Sequence, residues 1–252
     1  MPAVRPSSAY LSMIDIHCHI LPLIDDGARS WEIAEEMCQM AVDDGITHIV
    51  ATPHANEQFE YKREEFSKLL AELQTRTKGK LKFSLGCDFN LSFENLERLF
   101  ADPGQFLIEG TRYLLIEMNN FSIPPRFDQL LFRMTAELQI VPILTHPERH
   151  PILQRHPEQI APWTELGCLV QVTANSLTGH WGRRAKEVAV WLLKQNLVHI
   201  IASDAHDLRN RPPVLSAARD FVANMNGEDS ALALVEGNPG IVVTNGNVLL
   251  PS

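Results

Sequence analysis

Short apolar runs rich in β-branched residues alternate along this chain with longer segments whose apolar residues recur near helical spacing. Met13–Ile16, Ile46–Ala51, Leu81–Gly86, Tyr113–Ile116, Val141–Thr145, Cys168–Val172 and Ile200–Ala202 have the length and character of strands. Between the first two, Trp31, Ile33, Ala34, Met37, Met40 and Ala41 line one face of Ser30–Asp44, while Glu32, Glu35 and Glu36 take another. Ser30 is a natural N-cap for this helix and Gly45 a natural stop. Glu64–Arg76, Phe93–Phe100, Arg126–Leu138, Pro157–Leu166, Arg184–Gln195 and Val214–Asn224 repeat the amphipathic pattern. Gly167 and Asn196 stand between a helix and the next strand, where a left-handed residue is often required. The order amounts to about seven βα units, and strands separated by helices pair in parallel. The tail Gly240–Leu250 reads as extended, with a small hairpin at Asn245-Gly246.

All but one of the strand-like runs stop on a residue able to bind a metal. Met13–Ile16 runs into His17-Cys18-His19, Ile46–Ala51 into Thr52-Pro53-His54, and Leu81–Gly86 into Cys87-Asp88. Tyr113–Ile116 leads to Glu117, Val141–Thr145 to His146, and Ile200–Ala202 to Ser203-Asp204-Ala205-His206. Only Cys168–Val172 lacks such an ending. A wound α/β fold delivers the C-terminal residues of its strands to one face, so these side chains are expected to converge. A barrel explains ligands arriving from nearly every strand better than an open doubly wound sheet does.

Alone, the pair His17 and His19 is a weak signal, because isolated H-x-H pairs are more often structural than ligating. A histidine or carboxylate at strand end after strand end has no such bland explanation. Asp88 and Glu117 follow apolar runs, and a carboxylate there needs a cation or donors to offset its desolvation. Asp25-Asp26-Gly27 is at least a turn and can supply a further ligand from the loop leaving His19. Asp15 is expected to support a ligand rather than to be one. None of the other five histidines is expected to be a ligand: His48, His156 and His199 are expected to be structural or exposed, and His150 and His180 lie on mouth-side loops, where contact with substrate is the minority reading.

At 252 residues and 45% hydrophobic content, the chain suits one α/β barrel domain over residues 13–252, preceded by an extension, residues 1–12. A formal charge of −9 gives no broad attraction to nucleic acid or anionic lipid. Cys18, Cys38, Cys87 and Cys168 form no C-x-x-C pair, and Met1–Ser12 has no apolar stretch of secretory length. A soluble cytoplasmic protein without structural disulfides is expected. Cys18 is expected in the core, facing away from its histidine neighbours.

MIDIHCHILPLIDDGA, IVATPH, YLLIEM, PILTHPERH and HIIASDAHDLRNR, taken in order, resemble the polymerase-and-histidinol-phosphatase (PHP) superfamily. Within it they resemble the bacterial tyrosine-protein phosphatases encoded with capsule or exopolysaccharide genes. The resemblance implies a distorted (β/α)7 TIM-like barrel of the PHP type that holds three divalent ions, manganese in the usual account. By motif, His17, His19 and Asp204 would hold one ion. Asp88 would link it to a second, bound with Glu117 and His146, and Asp26, His54 and His206 would complete the third, with Glu117 between the last two. Where the family commonly has glutamate this chain has Asp88, one methylene shorter.

Nitrogen and oxygen ligands without thiolates suit manganese, iron, zinc or magnesium. Water activated at such a cluster can attack phosphorus without a covalent nucleophile. Consistently, no cysteine here has an arginine six residues on, as a cysteine-dependent tyrosine phosphatase needs. Arg149 and Arg211 match family positions that stabilise charge on the phosphoryl oxygens. The implied substrate is a phosphotyrosine-bearing protein, the tail of a bacterial tyrosine kinase controlling polysaccharide export. The competing readings are a PHP phosphoesterase acting on a small metabolite such as histidinol phosphate, an amidohydrolase-like enzyme, and a non-catalytic partner of that kinase. The paired arginines suit phosphate better than an amide, and a docking surface needs no full set of ligands.

Overall fold

A computed structural model describes residues 12–248, so the expected extension 1–12 lies, apart from Ser12, outside the described residues. Its strands are β1 (Met13–Cys18), β2 (Ile46–Ala51), β3 (His54–Ala55), β4 (Lys82–Leu85), β5 (Asp88–Asn90), β6 (Tyr113–Glu117), β7 (Val141–Thr145), β8 (Leu169–Thr173) and β9 (Ile200–Ala202). Its α-helices are α1 (Trp31–Asp44), α2 (Arg63–Arg76), α3 (Phe93–Ala101), α4 (Phe127–Phe132), α5 (Ala161–Glu165), α6 (Ala174–Thr178), α7 (Gly182–Lys194), α8 (Ser216–Asn226), α9 (Glu228–Leu232) and α10 (Asn238–Val243). Among the described residues no helix is long and apolar enough to cross a membrane.

All strand pairs are parallel, in a three-stranded sheet ordered β1-β2-β4 and a six-stranded sheet ordered β3-β5-β6-β7-β8-β9. The division falls where Thr52-Pro53 separates β2 from β3 and Gly86-Cys87 separates β4 from β5. Proline lacks the N–H that a ladder requires. Backbone bonds nevertheless span the gap: Thr52 N donates to Cys18 O at 2.9 Å, Gly86 N to Ala51 O at 2.8 Å and Asp88 N to Pro53 O at 3.1 Å. At the other side β9 meets β1, where His19 N donates to Ala205 O and Asp204 N to His17 O, both at 2.8 Å.

Two apolar layers result. Ile16, Val50, Leu115, Ile143, Leu169 and Ile200 pack together from successive strands. Their neighbours Ile49, Leu114, Leu144, Val170 and Ile201 instead pack with helix residues such as Met37, Leu73, Leu131 and Leu192. Both strand faces are therefore apolar, as in a parallel sheet covered by helices. Each such side chain taken from water contributes about 1.5–3 kcal/mol.

The helix boundaries agree with the capping residues. Ser30 Oγ accepts from Ile33 N at the start of α1, and Gly45 is left-handed at its end. Gly167 and Asn196 are also left-handed, with φ of 87° and 56°. The tail differs from expectation, because Asn238–Val243 forms α10 and no extended hairpin begins at Gly240. Pro239 sits in the first turn of α10, where its missing N–H costs nothing, and Val242 joins the inner apolar layer. Residues 249 and 250 of that expected hairpin lie outside the described residues.

His199, just before β9, is fully buried, and its Nδ1 accepts from Val170 N at 3.1 Å. Burial disfavours its charged form and lowers its pKa from 6.5 to about 4. Between these values the unfolded chain binds a proton that the folded chain does not, so stability falls as pH drops below 6.5. His199→Asn keeps an acceptor for Val170 N and cannot titrate. Urea unfolding should show the wild type losing about 2 kcal/mol relative to this variant between pH 7.5 and pH 5. A difference that does not change with pH would refute the assignment.

Candidate metal centre

The local backbone of β1 prepares the site. Asp15 pairs with Ile49 and Cys18 with Ala51, so β1 carries one residue more than β2 across this interval. Such a bulge re-aims side chains next to functional sites. Here Ile16 enters the inner layer and Cys18 the outer one, and His17 and His19 come within 3.3 Å of each other, Nε2 to Nε2. As expected, Cys18 is a buried core thiol, and burial raises its pKa well above the ordinary value.

All nine expected ligands converge at the C-terminal ends of the strands, in overlapping groups. One comprises His17, His19 and Asp204, another His17, Asp88 and His146. His54, Asp88 and Glu117 form a third, and His19, Asp26, His54 and His206 a fourth. Asp88 Oδ2 lies 3.6 Å from His17 Nε2 and 3.2 Å from His54 Nδ1, which makes it a shared member. Glu117 turns Oε1 to His146 Nε2 at 3.6 Å and Oε2 to His54 Nδ1 at 4.0 Å. Asp26, with 53% of its side chain exposed, reaches His54 Nε2 at 3.4 Å and His206 Nε2 at 3.3 Å, so this group opens to solvent.

These atoms fit a cluster of divalent cations. Both oxygens of Asp88, Oδ1 of Asp204, Nδ1 of His54 and Nε2 of His206 are buried without a hydrogen-bond partner. An unpaired buried carboxylate is costly without a positive charge beside it. Electrostatics agree with this need. Burial opposes charge on His17, but Asp204 and Asp88 outweigh it and push its pKa up to about 9. His54 is likewise pushed to about 11 by Asp26, Asp88 and Glu117 against the effect of burial. Burial and the nearby Asp88 raise Glu117 to about 7.

Two further side chains fix the imidazoles. Fully buried Gln171 on β8 accepts from His17 Nδ1 at 2.9 Å, leaving Nε2 to face the cluster. Asp25 Oδ2 accepts from His19 Nδ1 at 2.8 Å and from His54 N at 3.1 Å, so Asp25 positions His19 and the backbone of His54 while Asp26 faces the cluster. Gly27 allows that loop to close, since a Cβ there would lie 2.2 Å from His19 O. His146 and Asp204 adopt positive φ values of 36° and 53°, uncommon for such residues and concentrated at functional sites. Asp15 acts as support, accepting from Ser203 N at 3.0 Å and His17 N at 3.3 Å, and so tying β9 to β1.

Arg149 and Arg211 each place an Nη atom 2.6 Å from Asp204 Oδ2. The other oxygen, Oδ1, lies 3.4 Å from His17 Nε2 and 3.7 Å from His19 Nε2. One carboxylate thus presents one edge to the arginines and the other to the imidazoles. Buried Glu148 accepts from Thr173 N at 3.0 Å and Ser176 Oγ at 2.6 Å, which anchors the Pro147–Arg149 turn to the end of β8.

The remaining histidines stand apart from this cluster. His48 pairs with Ser84 at 3.0 Å, and His156 is exposed beside Glu158. His150 is buried and donates to Asn119 O at 2.9 Å, which ties the loop after β6 to the loop after β7, and His180 is exposed. Gln171, and Trp181, whose ring centre lies 4.3 Å from the guanidinium carbon of Arg149, escape a reading of strand ends. An amide that orients a ligand, or a ring that packs on arginines, has no spacing signature of its own.

Parallel strands, outer helices and imidazoles and carboxylates gathered at the strand C-terminal ends define a parallel α/β protein with a candidate metal centre. The chain belongs to the capsular polysaccharide synthesis family CpsB/CapC, whose family model matches residues 13–244. It is 34% identical over 204 residues to the tyrosine-protein phosphatase YwqE of Bacillus subtilis (strain 168), covering 79% of each protein. It is 28% identical over 242 residues to the tyrosine-protein phosphatase CpsB of Streptococcus pneumoniae, covering 92% of this chain and 98% of that one. A crystal structure described under YwqE and CpsB as unique metal-dependent tyrosine phosphatases superposes with a TM-score of 0.86 at 30% identity. That match covers 95% of this chain and 97% of the other.

Proposed function

We propose that this chain is a metal-dependent protein-tyrosine phosphatase. The observation that carries this reading is the gathering of nine nitrogen and oxygen ligands beside two arginines that share Asp204. The fold is read as a distorted (β/α)7 barrel, with β2–β3 and β4–β5 each counted as one interrupted strand and closure between β9 and β1. Residues 13–252 are read as one domain.

His17, His19 and Asp204 would hold one ion, Asp88, Glu117 and His146 a second, and Asp26, His54 and His206 a third, with Asp88 and Glu117 shared. Manganese is the favoured metal, and iron, zinc or magnesium suit the same donors. Bound ions would supply Lewis acidity that activates water and offsets charge on the phosphoryl group. The protein's own part is positional. Arg149 and Arg211 keep N–H donors beyond those given to Asp204, and Arg211 Nε is buried without a partner. Guanidinium donors match the nonbridging phosphoryl oxygens, whose charge must be stabilised as the ester bond breaks. A tyrosine phenolate, with a pKa near 10, leaves with less protonation than an alkoxide requires. The substrate is read as a phosphotyrosine-bearing protein, the tail of a bacterial kinase controlling capsule or exopolysaccharide synthesis, in the cytoplasm.

Manganese-loaded protein is expected to release phosphate from a phosphotyrosine peptide in clear preference to a phosphoserine peptide, and chelation should abolish release. Equal hydrolysis of both peptides, or activity that survives chelation, would sink this reading.

A further inference from the structure

Trp181 lies between α6 and α7, past the end of β8, which brings no imidazole or carboxylate to the cluster. It is held in a tight turn, with Gly179 and Gly182 left-handed on either side at φ 95° and 86° and Gly182 N donating to Gly179 O at 3.0 Å. The guanidinium carbon of Arg149 lies 4.3 Å from the centre of its ring, and that of Arg211 lies 5.5 Å away. These are the same guanidiniums that meet Asp204 Oδ2 through their N–H groups. Contact with a ring face takes up no N–H donor, so the indole supports the arginines without competing for the phosphoryl oxygens. Trp181 nevertheless stays 37% exposed, so part of the ring beside these guanidiniums faces solvent.

We propose that Trp181 reads the leaving group: it receives the phenyl ring of phosphotyrosine and so makes the site select aryl over alkyl phosphate monoesters. This inference rests on the phosphatase reading above. In an aryl phosphate a single ester oxygen separates phosphorus from the ring. A phosphoryl group gripped by Arg149 and Arg211 therefore brings its ring close to the indole packed on those arginines, within the range of about 4.5–7 Å between centroids at which aromatic pairs attract. An alkyl phosphate fills the same phosphoryl position and offers the indole no ring. Trp181 is thus a specificity-determining residue placed by the loop after β8.

The test uses two phosphonates that cannot be hydrolysed, benzylphosphonate, whose CH2 stands where the ester oxygen would, and its alkyl counterpart ethylphosphonate, titrated calorimetrically into metal-loaded protein. Wild type should bind the benzyl compound more tightly, by roughly tenfold, as aromatic contact plus ring burial would give. Trp181→Leu, which keeps apolar bulk but removes the ring, should bring that ratio close to one with metal content unchanged, and Trp181→Phe should restore most of it. An unchanged ratio in Trp181→Leu overturns the proposal, and so does a Leu variant that binds neither phosphonate, which would leave the indole as support for the arginines alone. A wild-type ratio of one overturns it while phosphotyrosine turnover keeps the phosphatase reading standing. Wild type that binds neither phosphonate also overturns the proposal, and phosphotyrosine turnover by the same protein then decides whether the phosphatase reading stands.

Discussion

Asp88→Asn is expected to lower turnover of a phosphotyrosine peptide by roughly a thousandfold and to leave the protein short of metal. Asp88 is wholly buried, neither of its oxygens has a hydrogen-bond partner, and it belongs to two of the overlapping ligand groups. Asparagine has almost the same shape but no charge, so the change removes the charge of the proposed shared ligand with little disturbance to packing. Loss of several kcal/mol of charge stabilisation, at a tenfold change in rate for each 1.36 kcal/mol, gives the expected magnitude. Asp88→Glu is the companion variant, since it keeps the charge and supplies the longer side chain that the PHP resemblance leads one to expect. It should retain metal, though with altered affinity, because the carboxylate reaches one methylene further into the cluster. Elemental analysis of metal per chain, read beside kcat and the unfolding midpoint of the metal-free protein, separates ligand loss from misfolding. A correctly folded Asp88→Asn protein with its full metal complement and normal turnover would remove Asp88 from the site.

Asp88 also shows how much of this centre was legible in the chain. A carboxylate after an apolar run is conspicuous, and so are the imidazoles at His54, His146 and His206, because strand ends in a parallel α/β fold share one face. Ser30 and Gly45 likewise announce α1 through capping chemistry that acts locally. The bulge in β1 was not legible, since it depends on register against β2 rather than on any local pattern. Both faces of these strands are apolar, so alternation could not say which residues line the inner layer. In the tail, the run Ile241-Val242-Val243 favours a strand by propensity, but α10 forms there because Pro239 suits a first turn and Val242 is buried against the inner layer. Gln171 and Asp25 act through His17 and His19, and that support shows only once hydrogen bonds are drawn.

Arg149→Ala is expected to cost about a hundredfold to a thousandfold in kcat, the usual effect of removing one preorganised donor from developing charge. Arg149→Lys should recover only part of it, because an ammonium cannot reproduce the planar fork. Bound metal should survive either change. Asp204 turns Oδ1 toward His17 and His19, whereas both arginines occupy Oδ2, so the ligand edge stays in place when a guanidinium leaves. Burial alone would raise the pKa of Asp204, but Arg149, His17 and Arg211 outweigh it and hold the carboxyl well below its ordinary range. Taking away one arginine leaves that carboxylate less neutralised and therefore a stronger partner for a cation. Metal affinity and turnover should consequently move in opposite directions, which a general loss of structure would not produce. The double variant Arg149→Ala/Arg211→Ala should cost less than the product of the two single losses, since both guanidiniums meet one carboxylate oxygen and, on the proposed function, would grip one phosphoryl group. Metal titration alongside peptide kinetics tests this, and an Arg149→Ala protein that cannot hold metal would show the arginine to be part of the scaffold rather than part of the phosphate grip.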